Sequence, residues 1–316
     1  MSENKLKNIT TGSRNDLQLH PSRCLRMRFS GSSCSRCADI CPHGAINLEN
    51  ALAVDQNICR GCLLCSTACP SGALEQGSDF SECLSRLSKV PEPVLGCVRT
   101  QEHSNANITC LGGLSEEHLI AIYALQVQQV QLDLATCSGC SNENAVKLLR
   151  GRLDDLGRKI ALPIGGKIKL VEQAAELNFR KETIGRRGFF KALTGSLLKE
   201  TSTLLQSAKT PDKTRVAYTE KQLPQRKTIL NLGLKELPEL EQQQIRRFFK
   251  REAVRSENCD GCAACSKVCT TGAMTEKTDG ESNQVEHDPL HCTGCGLCVE
   301  FCLNEALQLK NGFKPI

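Results

Sequence analysis

The sequence predicts an α+β module at each end of the chain and a small α/β domain with a parallel sheet between them. Three observations carry this. One cysteine-spaced unit occurs four times, in two pairs at opposite ends. The middle stretch alternates short apolar strands with helices. Aromatic residues are nearly absent, nine Phe and two Tyr with no Trp in 316 residues, so the cores must be small and aliphatic or be organised around something other than side chains. The length asks for two or three domains. The expected division is a polar tail over 1–20, a first cysteine module over 21–80, an α/β domain over 90–178, a basic helical linker over 179–255 and a second cysteine module over 256–316.

Cysteine dominates the composition, with 21 residues. There is no apolar run of 18 residues, and Met1 to His20 is polar, so neither a membrane span nor a secretory signal is expected and the protein is assigned to the cytoplasm. In that reducing compartment closely spaced cysteines are metal ligands more often than disulfides.

Four cysteine units follow one another along the chain. The second reads Cys59, Cys62, Cys65, Cys69, Pro70, which is C-x2-C-x2-C-x3-C-P. The first has Cys34, Cys37, Cys41, Pro42 at matching places 28 residues earlier, but Gly31 stands where its first cysteine would be. The third and fourth are Cys259, Cys262, Cys265, Cys269 and Cys292, Cys295, Cys298, Cys302, with Thr270 and Leu303 in place of the proline. Each unit continues into a small-residue step, as in His43-Gly44-Ala45-Ile46 and Ser71-Gly72-Ala73-Leu74, and Gly61, Gly261 and Gly294 precede the second cysteine, as expected where backbone passes close to a bulky inorganic core. Between the first two units, Ile46 to Val54 reads as a short hairpin.

Three thiolates at i, i+3 and i+6 can hold three corners of an iron-sulfur cube, while the fourth cysteine is carried to the neighbouring cube. The carboxy-terminal pair then gives one set of Cys259, Cys262, Cys265 and Cys302 and another of Cys292, Cys295, Cys298 and Cys269. The amino-terminal pair gives Cys59, Cys62, Cys65 and Cys41, and leaves Cys34, Cys37 and Cys69 in need of a fourth partner. Cys24 is the candidate, and a three-iron [3Fe-4S] cluster on three cysteines is the alternative. A zinc array also uses four cysteines, but zinc knuckles have no need of a third cysteine at i+6 followed by Cys-Pro. Over about Cys24 to Gln76 and Ser256 to Leu309 the chain resembles the bacterial two-cluster ferredoxins. The resemblance implies a ferredoxin-like fold, four [4Fe-4S] clusters and a role in electron transfer.

In the middle, Val94 to Val98 and Ile108 to Leu111 read as strands, and Ser115 caps a helix through Leu125. Val127 to Leu134 reads as an alternating strand, Asn142 to Gly157 as an amphipathic helix and Lys167 to Val171 as a last strand. Cys97, Cys110, Cys137 and Cys140 fall at the carboxyl ends of these strands, the edge of a parallel sheet where ligands collect. The stretch from Cys110-Leu111-Gly112-Gly113-Leu114 through Cys137-Ser138-Gly139-Cys140 and Asn144 to Leu156-Gly157 resembles the delta subunit of the methyl-viologen-reducing hydrogenases of methanogens. That family carries a two-iron cluster and wires a hydrogenase to a heterodisulfide reductase, which implies a [2Fe-2S] site here, although an early cysteine pair of the family is missing before Cys97. Four thiols in an inert core and a redox dithiol at Cys137 and Cys140 are the alternatives. Cys83 has no partner at metal spacing and reads as a buried thiol.

Residues 180–255 hold 18 Lys and Arg against 8 Asp and Glu, whereas 256–316 hold 4 against 9. Because an oxidised four-thiolate cube carries about −2, four of them would take the formal +5 to roughly −3, which removes the support for nucleic-acid binding. The basic segment contains Pro211, Pro224 and Pro238 and reads as a solvated linker with helices, its charge also suiting it to dock an acidic partner. Arg186-Arg187-Gly188-Phe189-Phe190-Lys191 has the look of a twin-arginine signal, but its depth in the chain favours a helix packing through Phe190, Leu193 and Leu197. No nucleotide loop, catalytic triad or paired-carboxylate constellation is present, so no catalytic residue is assigned. The expected function is a non-catalytic electron-transfer subunit of polyferredoxin type, relaying electrons between an enzyme such as a hydrogenase or formate dehydrogenase and an acceptor. The other classes are a cluster-bearing sensor or assembly factor, and a thiol oxidoreductase using Cys137 and Cys140.

Overall fold

The computed structural model describes residues 9–10, 15–180, 220–278 and 283–311. The twin-arginine helix and the first part of the basic segment lie outside them. The amino-terminal module contains strands β1 (Ile9–Thr10) and β2 (Leu17–Leu19), short helices α1 (Leu25–Arg28) and α2 (Arg36–Asp39), the hairpin β3 (Ile46–Asn47) and β4 (Ala53–Asp55), helix α3 (Leu64–Ala68) and strand β5 (Leu74–Gln76). β2 pairs antiparallel with β5, and β4 pairs antiparallel with both β1 and β3. Leu17 and Leu19 are buried, so the polar tail ends earlier than expected and its last strand belongs to the module. The core is aliphatic, built from Leu17, Leu52, Val54, Leu63 and Leu74 around cysteines.

Helix α4 (Phe80–Leu87) leads into the central domain, and Asp79 caps it by accepting from the amides of Ser81 and Glu82. Then come β6 (Val94–Cys97), β7 (Ala106–Ile108), α5 (Glu116–Leu125), β8 (Val130–Asp133), α6 (Asn144–Ile160) and β9 (Ile168–Val171). The strands form one parallel sheet in the order β7-β6-β8-β9. Two strand readings shift. Leu111 lies in a 3-10 turn, because the following Gly112 and Gly113 reverse the chain. β8 is buried on both faces rather than alternating, because Gln131 exchanges hydrogen bonds with the backbone of Asn178 (3.3 and 3.0 Å) and so can be buried without penalty.

Beyond the central domain lie α7 (Gln225–Leu234), α8 (Glu239–Phe249) and strand β10 (Arg251–Arg255), followed by α9 (Ala264–Val268), the hairpin β11 (Met274–Thr278) and β12 (Asn283–His287), α10 (Leu297–Glu300) and β13 (Leu307–Asn311). This part of the basic segment is not a solvated linker. Ile229, Leu230, Leu234 and Ile245 are buried in the central core, where full burial stabilises by roughly 1.5–3 kcal/mol per side chain. α7 packs along α5, which explains why α5 is buried from Glu117 to Tyr123 without a polar face. β10 pairs antiparallel with β13, and β11 with β12, repeating the plan of the first module, so the second module starts before residue 256. Among the described residues, no helix is long and apolar enough to cross a membrane.

Candidate metal centres

The repeated spacing produces a repeated backbone. In units two, three and four the residues on either side of the second cysteine are left-handed: Gly61 and Leu63, Gly261 and Ala263, Gly294 and Gly296. Alternating this conformation with ordinary backbone makes a nest whose amides can converge on one anionic body. Leucine at φ 60° costs about 1–2 kcal/mol, and Leu63 is held there by burial. Unit one differs. Ser33 and Ser35 occupy the matching places with no left-handed turn, and a side chain on Gly31 would strike the Phe29 ring at 2.6 Å. The loop therefore takes another course, and Cys24, just before α1, is brought in.

After the fourth cysteine, all four units turn through a left-handed residue (Gly44, Gly72, Gly272, Glu305) into a buried alanine. In three of them that alanine amide donates to the cysteine sulfur: Ala45 to Cys41 (3.4 Å), Ala73 to Cys69 (3.2 Å) and Ala306 to Cys302 (3.3 Å). Hydrogen bonds to sulfur of this kind tune a cluster's potential.

Several cysteines distant in sequence are brought together around shared cavities. Cys41, Cys59, Cys62 and Cys65 line one cavity, with Leu63 and His43 on its wall. Cys24, Cys34, Cys37 and Cys69 line a second. In the carboxy-terminal module Cys269 and Cys292 lie close enough to Cys295 and Cys298 to raise the pKa of both. Cys259, Cys262 and Cys265 form the remaining group, and a hydrogen bond between Asn304 and Asp260 ties the turn after Cys302 to it. The central cavity is lined by Cys97, Cys110, Cys137 and Cys140 together with Arg99 and Asn142. Cys83 is buried and donates to the Asn107 carbonyl (3.4 Å).

Burial and crowding push five of these thiols well up, Cys37, Cys110 and Cys298 to about 12 and Cys137 and Cys295 to about 11. Cys140 moves the other way; burial opposes its ionisation, but the Asn142 amide and Arg99 outweigh it. Groups of buried thiols at such values stay protonated at neutral pH unless a metal core supplies the charge that ionises them. Two further observations test the fit. Thr270 and Thr293, beside Cys269 and Cys292, have buried hydroxyls with no hydrogen-bond partner, and inorganic sulfide would accept from them. Among the described residues no three His, Cys, Asp or Glu side chains close on a single metal ion.

Several side chains around these sites were invisible to spacing arguments. His43 and Asn142 are 3.1 Å apart, and Asn142 donates to the Arg60 carbonyl (2.9 Å), joining the loop after Cys140 to the loop of Cys59. Arg152, on the inward face of α6, donates to the carbonyls of Gly112 (3.1 Å) and Leu114 (2.7 Å) and to Thr67 Oγ1 (2.7 Å). Arg226 donates to the carbonyls of Ser66 (3.2 Å) and Cys69 (2.7 Å) and pairs with Glu117 (3.2 Å). An arginine at the right helical position is the only sequence signal each of these gives.

Comparison with known proteins agrees with the cysteine pattern. The 4Fe-4S dicluster domain family matches residues 30–73 and 258–306. The chain is 36% identical over 69 residues to the polyferredoxin protein MvhB of Methanothermus fervidus, covering 19% of this chain and 15% of that protein. It is 31% identical over 81 residues to the probable anaerobic dimethyl sulfoxide reductase chain YnfG of Escherichia coli K12, covering 22% of this chain and 38% of the relative. The chain thus spans well under two thirds of either relative. It carries a 4Fe-4S dicluster domain at each end.

Proposed function

We propose that the protein is a non-catalytic subunit that relays electrons between an oxidoreductase, such as a hydrogenase or formate dehydrogenase, and a separate acceptor. Four [4Fe-4S] clusters would be held by Cys24, Cys34, Cys37 and Cys69; by Cys41, Cys59, Cys62 and Cys65; by Cys269, Cys292, Cys295 and Cys298; and by Cys259, Cys262, Cys265 and Cys302. A two-iron cluster would be held by Cys97, Cys110, Cys137 and Cys140. When bound, such clusters accept and release single electrons with little rearrangement. The protein's part is to fix the thiolates, exclude water with aliphatic walls such as Leu48, Leu52 and Leu74, and donate amides to sulfur. The observation that carries the reading is the cavity lined by Cys24, Cys34, Cys37 and Cys69, which supports a full ligand set for the one unit that lacks its first cysteine. The relatives' names, a polyferredoxin and a chain of an anaerobic reductase, support a subunit role.

The test is an anaerobic pull-down with the full chain as bait, paired with assays of the purified protein alone. Recovery of an oxidoreductase catalytic subunit, with no turnover of hydrogen, formate or a disulfide by the chain itself, is expected. Turnover without a partner would overturn the reading. Changing Cys137 and Cys140 to Ser should also remove about two iron atoms per chain and a two-iron EPR signal. An unchanged iron content, with a disulfide forming between the two in the parent protein, would favour the dithiol alternative.

A further inference from the structure

The two dicluster modules are far apart in sequence but meet through a built contact. The Glu300 carboxylate accepts from Ser32 Oγ (2.6 Å), Ser33 Oγ (2.8 Å) and the Ser33 amide (3.2 Å). Phe29 and Phe301 meet edge to face with ring centroids 5.0 Å apart. Arg36, next to Cys37, donates to the carbonyl of Gly294, next to Cys295 (3.2 Å). The segment leading into α7 fastens both sides. Its Gln222 amide donates to the Thr270 carbonyl (2.9 Å) and Lys221 to the Ser266 carbonyl, while the Gln225 amide donates to Glu75 (2.8 Å) and Arg23 donates to the Leu223 carbonyl (3.4 Å).

Two features make this more than a structural seam. Unit one faces unit four, so one hydrogen bond links residues adjacent to Cys37 and Cys295. Two guanidinium groups also converge on one cysteine loop. Arg36 is bonded to Gly294, and Arg251 lies so close that a side chain on Gly294 would meet its Nε at 3.1 Å. The nearby Glu300 carboxylate, held against burial below its ordinary value by Ser32, Ser33 and the Arg36 charge, offsets part of this positive charge, and the remainder faces the buried group of thiols. At the other end of the amino-terminal module, a side chain on Gly112 would lie 2.8 Å from the Cys62 carbonyl and 3.6 Å from Cys110 Sγ, so the central cavity abuts the group of Cys41, Cys59, Cys62 and Cys65. In the second module Cys259 and Cys262 are exposed.

We propose that the two modules form a single unbranched relay, in which electrons cross between them at the Arg36–Gly294 and Ser33–Glu300 contact. The inner pair of cubes is then that of Cys24, Cys34, Cys37 and Cys69 and that of Cys269, Cys292, Cys295 and Cys298. The relay's ends are the central four-cysteine edge and the exposed loop of Cys259 and Cys262. Arg36 and Arg251 act as positioning and tuning residues: their positive charge favours the more negative, reduced form of the cube at the crossing and raises its potential relative to the outer cubes. This rests on the four-cube reading above.

Magnetic coupling between reduced cubes falls steeply with separation, so it reports neighbours. The test uses the full holoprotein, fully reduced under anaerobic conditions, and compares the parent with the double variant Glu300→Arg, Phe301→Ala. The variant should keep its iron and sulfide content and lose a component of the interaction-broadened EPR spectrum, with slower spin relaxation. Ser32→Ala with Ser33→Ala is the milder pair, which leaves every charge in place, and should move the spectrum in the same direction. Spectra superimposable on the parent's in both fully loaded variants would overturn the crossing while leaving the electron-transfer reading intact. A parent protein that holds no iron-sulfur core would remove that reading as well, and iron analysis of the same samples separates the two failures.

Discussion

Arg226 is where the segment following the central domain grips both of its neighbours, and its replacement tests whether α7 is an integral strap. The guanidinium is about 10% exposed and Glu117 about 8%, at 3.2 Å, and the same side chain satisfies the carbonyls of Ser66 and Cys69. Burial by itself would keep the Glu117 carboxyl protonated, but Arg226 and Lys227 hold it at about 2. Arg226→Gln leaves a buried carboxylate with Lys227, Ser115 and the field of Arg152 but without its bonded partner, and at least one buried carbonyl without its donor, and breaking a buried pair in this way costs about 3–5 kcal/mol. The double variant Arg226→Gln, Glu117→Gln removes the uncompensated carboxylate and leaves only Lys227, which burial already lowers to about 8 and which can shed its proton, so it should recover part of that loss. Urea unfolding of the anaerobic holoprotein, followed by circular dichroism and by cluster absorbance, measures both. Because Arg226 also reaches the Cys69 carbonyl, cluster absorbance should be lost at lower urea in the single variant. A single variant that loses under 1 kcal/mol, and a double variant no better than the single, would refute the strap.

Two other substitutions probe the sites and the core. Cys24→Ala should convert one cube to a three-iron form with an EPR signal in the oxidised state; an unchanged spectrum and iron content would exclude Cys24 as a ligand. His118 is fully buried and held at about 4, chiefly by desolvation, while its Nδ1 accepts from the Ser115 amide (3.3 Å). A folded-state value below the ordinary 6.5 means that the unfolded chain binds the extra proton, so stability is full above 6.5 and is lost as pH falls toward 4. Between pH 7 and 5 the parent should lose about 2 kcal/mol that His118→Gln does not lose, since Glu117 titrates mostly below that window. Equal slopes for the two proteins in urea melts would contradict the assignment.

The cysteine groups were legible because ligand spacing is a short-range code. Cys59 to Cys69 specifies its own loop, and the alanine steps and glycines that repeat with it specify the turns. The central sheet was legible because its strands are short apolar runs separated by helices with clear starts, such as Ser115 before Glu116 and Glu117. What sequence could not show is pairing at a distance. β2 and β10 have only three and five residues, and they become strands because β5 and β13 offer them a free edge. The docking of α7 was hidden because Ile229, Leu230 and Leu234 are diluted by Arg226, Lys227 and Lys235 in a segment whose net charge reads as solvated. Arg226 and Lys227 are buried charges that only their partner Glu117, 109 residues away, makes tolerable. Likewise, nothing in the spacing of unit one says that Glu300 will sit on Ser32 and Ser33.

The central claim is that four groups of four cysteines each hold a cube. Iron, zinc and acid-labile sulfide analysis of the anaerobically purified full chain, with Mössbauer spectroscopy to count cluster types, tests it most directly. The account predicts about sixteen iron atoms and as many sulfides per chain in four-iron clusters, with about two more of each if the central site is also filled. About eight iron atoms per chain after full reconstitution, or zinc in place of iron, would contradict it.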